Sequence, residues 1–453
     1  MKKLCFFFGM TLLCGNLQAQ TFSDPNFTAI PIGSGWNSPV GAVFSKSGQK
    51  LFVWERGGKL YVCHRDNSGN YIKQILPVAD LSEEVADWDA QGMLGFAVDP
   101  GFETNGLIYL MYVVDRHHLL NFGTPSYDPG TTITGQATIA RVTRYQTIVN
   151  GSNLVINPTS RFVLIGENKS TGLPILHHSH GVGSLVFAAD GTLLVTMGDG
   201  ASYEGLDGGS DPGTFYQQAL ADGIIRPAEN VGAFRAQLIN CMNGKLLRID
   251  PQTGNGVPSN PFYSPAAPRA PKSRVWALGL RNAFRIFVKP GTGSTDPSVG
   301  DIGEVYIGDV GFASWEETDI CKAPGSNFGW PIYEGNEYTI PLVLGDITYK
   351  DLQVENKDEP NPLYGTGGCT RQYLYFSELI RQANTDDNKT IFNPCNASTY
   401  WSRKPLLPPP AGAGMVACPY PGKGWNFRRQ HPFGSLDWFT RVAGGGCSIC
   451  RAM

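Results

Sequence analysis

The sequence is poor in charge and in histidine: Asp, Glu, Lys and Arg make up 17% of 453 residues, and seven residues are His. Lys and Arg total 36 against 39 for Asp and Glu, a net charge of −3, and no segment is strongly basic. That excludes the dense phosphate contacts of a nucleic-acid binder. After the first twenty residues no apolar run approaches the roughly 20 residues a membrane-spanning helix needs, so no transmembrane segment is expected. Helical periodicity is sparse throughout. Turn formers are plentiful, with 55 Gly and 32 Pro, and aromatics stand at 11%. The length allows two or three domains or one large repetitive one.

The start of the chain reads Lys2-Lys3, an apolar run from Leu4 to Leu13, then a short polar stretch ending near Ala19. A charged region, a short apolar core and a small residue at the cleavage point predict a signal peptide over residues 1–19 and an exported protein, periplasmic or extracellular. Leu13 before Cys14 argues against a lipidated cysteine. Cys63, Cys241, Cys321, Cys369, Cys395, Cys418, Cys447 and Cys450 remain, at wide and irregular spacings from which no connectivity follows. Cys447 and Cys450 form a lone C-x-x-C without the second ligand pair of a zinc site.

One unit recurs: a short apolar stretch, a turn with Gly or Asp, then a second β-rich stretch. It is seen at Val40–Phe44 with Lys50–Val53 and Lys59–Val62, at Leu94–Val98 with Gly106–Tyr112, and at Arg285–Val288 with Glu304–Ile307. The clearest copy is Ser184–Phe187, Asp190-Gly191, Thr192–Thr196. β-Branched and aromatic residues bounded by Gly, Pro, Asp and Asn are the hairpin signal. A sandwich explains single hairpins equally well, but four similar ones dispersed along the chain favour an all-β propeller. The main domain is placed at residues 20–397. From about 398 the texture turns to Pro and Gly, no paired strand pattern is visible, and an atypical, poorly ordered tail is expected over 398–453.

Three places could carry chemistry. His177, His178 and His180 lie just before the clearest repeat, on a loop at one rim of the sheet. A neutral imidazole there can act as a general base, clustered imidazoles can bind a metal, or loop histidines can simply bond carbonyls. Arg281-Asn282 follows an apolar stretch and would suit a planar anionic ligand or cap a strand end. Gly308 to Glu317 joins a strand to an acidic turn, which reads either as an oxygen-rich Ca²⁺ environment or as a solvated turn over Trp315.

At Gly92–Phe102, Gly244–Pro251, Leu278–Asn282, Gly308–Glu317 and Asn327–Pro331 the chain resembles the soluble quinoprotein glucose/sorbosone dehydrogenase family, in the family's order over roughly residues 25–340. The resemblance implies a six-bladed β-propeller holding pyrroloquinoline quinone (PQQ) with Ca²⁺, a small-molecule sugar substrate and an external electron acceptor. It makes His180 the catalytic base, Arg281 and Asn282 cofactor contacts, and Gly311, Phe312 and Glu316 the calcium ligands. Gln91 is the candidate for a further cofactor-contacting amide, although strict register gives Ala90. Ser179 stands where family members carry an acid beside the catalytic His. Arg403, Lys404, Arg428 and Arg429 match no family position, so the last blade is expected to be incomplete. The same fold family contains non-catalytic secreted propellers that bind carbohydrate or protein, the alternative to a sugar, polyol or aldehyde dehydrogenase.

Overall fold

Strands whose two faces are both buried read as unbroken apolar runs, and the heptad of residues Leu107–Val113 shows why. Ile108, Leu110 and Tyr112 point into one apolar layer, while Tyr109, Met111 and Val113 point into the next. In the computed structural model, which describes residues 30–312, 315–335, 337–338, 347–383, 390–393, 395–402, 416–419, 439–442 and 446–449, this sidedness stacks sheet on sheet.

The first sheet contains β1 (Pro39–Phe44), β2 (Lys50–Glu55), β3 (Lys59–Arg65) and β4 (Tyr71–Lys73), with β5 (Ala79–Asp80) on β3. The second runs from β6 (Met93–Val98) through β7 (Leu107–Val113) and β8 (Thr138–Asn150), on which β9 (Asn153–Ile156), β10 (Phe162–Ile165) and β11 (Leu173–Ile175) pair. The third is β12 (Val182–Phe187), β13 (Leu193–Met197), β14 (Lys245–Ile249) and β15 (Val275–Leu278). The fourth begins with β16 (Ala283–Val288), β17 (Val305–Asp309) and β18 (Trp315–Cys321). The strands within these sheets pair antiparallel, and the first strands β1, β6, β12 and β16 pack successively against one another. Sequential up-and-down sheets joined through their first strands make a β-propeller-like fold.

Four such sheets are present among the described residues. Beyond them lie β19 (Tyr333–Glu334) with β20 (Glu337–Tyr338), β21 (Glu355–Pro360) with β22 (Tyr373–Tyr375), and β23 (Thr390–Asn393) with β24 (Asn396–Ser402). Short described stretches fall within or across the expected tail. β25 (Val416–Pro419) pairs with β18 and completes the fourth sheet, and β26 (Phe439–Val442) pairs with β27 (Gly446–Ile449). Strand pairing therefore continues past residue 398, which falls inside β24; short strands between Pro- and Gly-rich stretches leave too little alternation to be read from sequence. Residues 1–19, Arg403, Lys404, Arg428, Arg429 and Cys450 lie outside the described residues. Cys369 pairs with Cys395, and Cys63, Cys241 and Cys321 are free and buried. Among the described residues no helix is long and apolar enough to cross a membrane.

The turn of the clearest repeat is held by a buried ion pair. Asp190 accepts from the Thr192 amide and hydroxyl at 3.0 and 2.6 Å through one oxygen, and from Arg248 Nη2 at 2.6 Å through the other. Both charged side chains are wholly buried, and the Arg248 guanidinium lies over Trp276. Removing one partner strands the other charge in a dry environment. Asp190→Ala is accordingly expected to cost about 3–5 kcal/mol of stability, measured by chemical denaturation; a loss near zero would show that Arg248 is reached by water.

Candidate active site

Antiparallel pairing puts the start of each first strand beside the end of the second, so residues just before β6, β12 and β16 share one rim with residues just after β13 and β17. Gln91, His180 and the pair Arg281-Asn282 occupy those entries, and Asp199 and Asp309 occupy the exits. This topology thereby assembles side chains up to 218 positions apart in the chain, taking Gln91 and Asp309 as the extremes.

His180 and Asp199 form the centre. Both are buried, and His180 Nδ1 lies 2.9 Å from Asp199 Oδ1. Burial opposes the charge of Asp199, but His180, their shared bond and Arg281 together hold the carboxyl below its ordinary range. An ionised carboxylate only accepts, so the imidazole donates from Nδ1 and keeps Nε2 as a lone-pair acceptor. Burial first, and then Arg281, push the His180 imidazole below its usual value, against the opposing pull of Asp199. The ring is therefore a neutral base at physiological pH. Asp199 also accepts from the Ala201 amide at 2.9 Å and from Trp330 Nε1 at 2.7 Å, which fixes it from three directions. His180 itself is held at φ 53°, the left-handed region that non-glycine residues rarely adopt.

The other two imidazoles differ. Burial, followed by His178 and His180, pushes His177 down to about 3, so it is neutral, and its Nδ1 meets Ser179 Oγ at 3.1 Å. His178 Nε2 shares a 2.7 Å hydrogen bond with the Tyr203 hydroxyl. Among the described residues no three His, Cys, Asp or Glu side chains are gathered for a metal. Gln91 is buried and donates through Nε2 to the His177 carbonyl at 3.1 Å, while its Oε1 has no hydrogen-bond partner among the described residues. The structure thus brings Gln91, rather than its neighbour Ala90, against the histidine loop as a side chain.

Arg281 and Asn282 are braced by the second exit carboxylate. Asp309 accepts from the Arg281 amide at 2.9 Å and from the Asn282 amide at 2.5 Å. The Arg281 guanidinium is buried against the Phe312 and Trp330 rings, donates to the Val310 carbonyl at 2.8 Å, and has no partner at Nε. A buried guanidinium with an open donor, and a buried amide oxygen with an open acceptor position, suit a planar ligand carrying carboxylates and a donor. That is the chemistry of PQQ, so the residues fit the group.

Gly311, Phe312 and Glu316 meet at the β17–β18 turn. Gly311 donates its amide to Glu316 Oε2 at 3.1 Å, and Phe312 donates to Glu334 Oε1 at 2.6 Å. A Cβ at Gly311 would lie 1.5 Å from the Trp315 carbonyl oxygen, so the tight turn requires glycine. Burial first, then Glu334, push the Glu316 carboxyl up, and Arg281 partly offsets them. Burial first, then their carboxylate neighbours, push Glu317 and Asp319 well above the usual carboxylate range as well, so among the described residues this end of the sheet gathers no set of charged metal ligands.

Sequence reasoning missed Asp199 and Trp330 as site residues. Gly198-Asp199-Gly200, a carboxylate between two glycines directly after an apolar strand, was the available signal.

The family model described as glucose/sorbosone dehydrogenase matches residues 36–364. The HIPL2 protein of Arabidopsis thaliana is 28% identical over 367 residues, covering 73% of this chain and 44% of its own. Human Hedgehog-interacting protein is 30% identical over 188 residues, 39% of this chain and 23% of its own. The chain thus spans less than half the length of the curated relatives it matches. Among solved structures, the PQQ-bound aldose sugar dehydrogenase of Streptomyces coelicolor is similar with a TM-score of 0.43 at 18% identity, over 85% of this chain and 83% of that one.

Behind the site, Asp319 is buried with neither carboxylate oxygen bonded among the described residues. Burial first, then Asp309, push its carboxyl well above the usual range. A carboxyl raised in the fold stabilises most below its unfolded pKa and loses that contribution as pH rises. Asp319→Asn is therefore expected to melt higher than wild type at pH 8 and to converge with it near pH 4. Parallel melting curves at both pH values would show that Asp319 is paired.

Proposed function

The chain belongs to the glucose/sorbosone dehydrogenase family, and on that premise we propose that it is an exported quinoprotein dehydrogenase that oxidises a sugar or a related polyol or aldehyde. One observation carries the reading. A neutral His180 with its Nδ1 proton locked on a buried, ionised Asp199 leaves Nε2 ready to take a proton beside a rim that lacks partners for one guanidinium donor and one amide oxygen.

Arg281, Asn282 and Gln91 would hold PQQ, and Gly311, Phe312 and Glu316 would hold Ca²⁺ beside it. A bound PQQ would supply the two-electron acceptor for the hydride leaving the substrate carbon, and Ca²⁺ would supply a Lewis acid to it. His180 Nε2 accepts the proton of the reacting hydroxyl, Asp199 stabilises the imidazolium that results, and Trp330 keeps Asp199 from turning away. Phe312 and Trp330 cover the Arg281 guanidinium and exclude water from it. An external electron acceptor would complete the cycle. The Cys369–Cys395 disulfide supports an oxidising compartment, periplasmic or extracellular.

The relatives named HIPL2 protein and Hedgehog-interacting protein favour a second reading, a non-catalytic secreted propeller that binds carbohydrate or protein. Dye reduction across a panel of aldoses, after reconstitution with PQQ and Ca²⁺, separates the two. Turnover is expected for the wild-type chain, and its absence would favour the binding module.

His180→Ala is expected to lower kcat by about 10²–10⁴ with little change in quinone binding. Asp199→Asn should also lower kcat, and it removes a group that raises the His180 pKa. The acid limb of its pH–rate profile, already below the usual imidazole range, should then move lower still. A limb that stays in place would remove Asp199 as the positioning partner.

A further inference from the structure

Tyr203 lies four residues beyond Asp199, and the residue is 44% exposed where the base and its partner are buried. An exposed tyrosine needs no explanation by itself, but this one is held. Arg235 donates from Nε to the Asp199 carbonyl at 2.8 Å and from Nη2 to the Gly200 carbonyl at 2.9 Å. The Ser202 amide is fixed on Asp207 at 3.1 Å, so the backbone leading to Tyr203 is braced. At the other end the hydroxyl is tied to His178 Nε2 at 2.7 Å. The ring stands almost perpendicular to His177 and His178, at 87° and 86° with centroids 5.2 Å away, and its centroid is 6.2 Å from that of His180.

We propose that Tyr203 is a specificity-determining residue, a stacking platform that selects the ring form of an aldose over an open-chain polyol. The proposal rests on the dehydrogenase reading for the reaction, though not for sugar binding. A pyranose in its chair form presents a face of C–H groups and an edge of hydroxyls. A fixed aromatic ring complements the face, and the partly exposed His178 and Ser179 offer polar groups to the edge. An open-chain polyol has no comparable face and must lose several free rotations on binding. Because the phenol is immobilised before any ligand arrives, the discrimination costs no ordering of the protein.

The test uses the full chain, with D-glucose and D-glucitol as probes. Wild type, Tyr203→Phe, Tyr203→Leu and Tyr203→Ala are compared by calorimetric binding of each probe and, after loading with PQQ and Ca²⁺, by kcat and KM. Leu and Ala should raise the Kd and KM for glucose roughly tenfold or more, leave kcat and the glucitol values little changed, and melt as wild type does. Phe keeps the flat face but loses the hydroxyl's tie to His178, and should bind glucose more weakly than wild type but more tightly than Leu or Ala. An unchanged glucose Kd in the Leu variant overturns the proposal, as does a Phe variant as weak as Ala, or wild type that binds no glucose. Loss of binding in the Leu variant without turnover in any form upholds the platform and refutes the dehydrogenase reading. Turnover with an unchanged Kd does the reverse.

Discussion

The Asp199 carboxylate is the point on which the rim depends. It is buried, and it collects a hydrogen bond from the entry of the third sheet through His180, from its own loop through Ala201, and from the segment beyond the fourth sheet through Trp330. A buried charge without such partners would cost several kcal/mol, so the three donors and the carboxylate define one another's positions. The same device recurs one sheet on, where Asp309 at the exit of β17 braces the amides of Arg281 and Asn282 at the entry of β16. Each exit carboxylate orients the entry residue of its own sheet, and successive packing of the first strands then sets one oriented residue beside the next.

The sheets were legible where an apolar pattern fills both faces. Leu107–Val113 and most of Leu193–Met197 alternate between two apolar layers, and short apolar runs rich in β-branched and aromatic residues between turn formers read as strands stacked on both sides. The Asp190-Gly191 turn was legible because Asp bonds the residue two positions on. The fourth strand of the fourth sheet was not. Val416–Pro419 returns to Trp315–Thr318 from about a hundred residues downstream, and nothing in four residues between Pro- and Gly-rich stretches records a partner so distant.

The site shows the same division. Scarcity drew attention to the three histidines, and their position before a strand placed them on a rim, but composition could not rank them. Ranking required knowing that His180 faces Asp199, that His177 is driven neutral by burial and its neighbours, and that His178 turns to Tyr203. Gln91 was uncertain by one position because register along a loop is soft; its placement follows from the carbonyl it meets, that of His177. Trp330 was visible only as part of a motif, since a contact with a residue 131 positions earlier leaves no local trace.

We propose that this rim receives a quinone carrying carboxylates, with Arg281 as its charged anchor. Spectrophotometric titration of the purified chain with PQQ, in the presence of Ca²⁺ and without substrate, tests it directly. One equivalent should bind to the wild-type chain, and Arg281→Met, which keeps the length of the side chain and removes the guanidinium, should weaken binding roughly tenfold or more. A wild-type chain that takes up no quinone, or a variant that binds it equally well, would contradict the account.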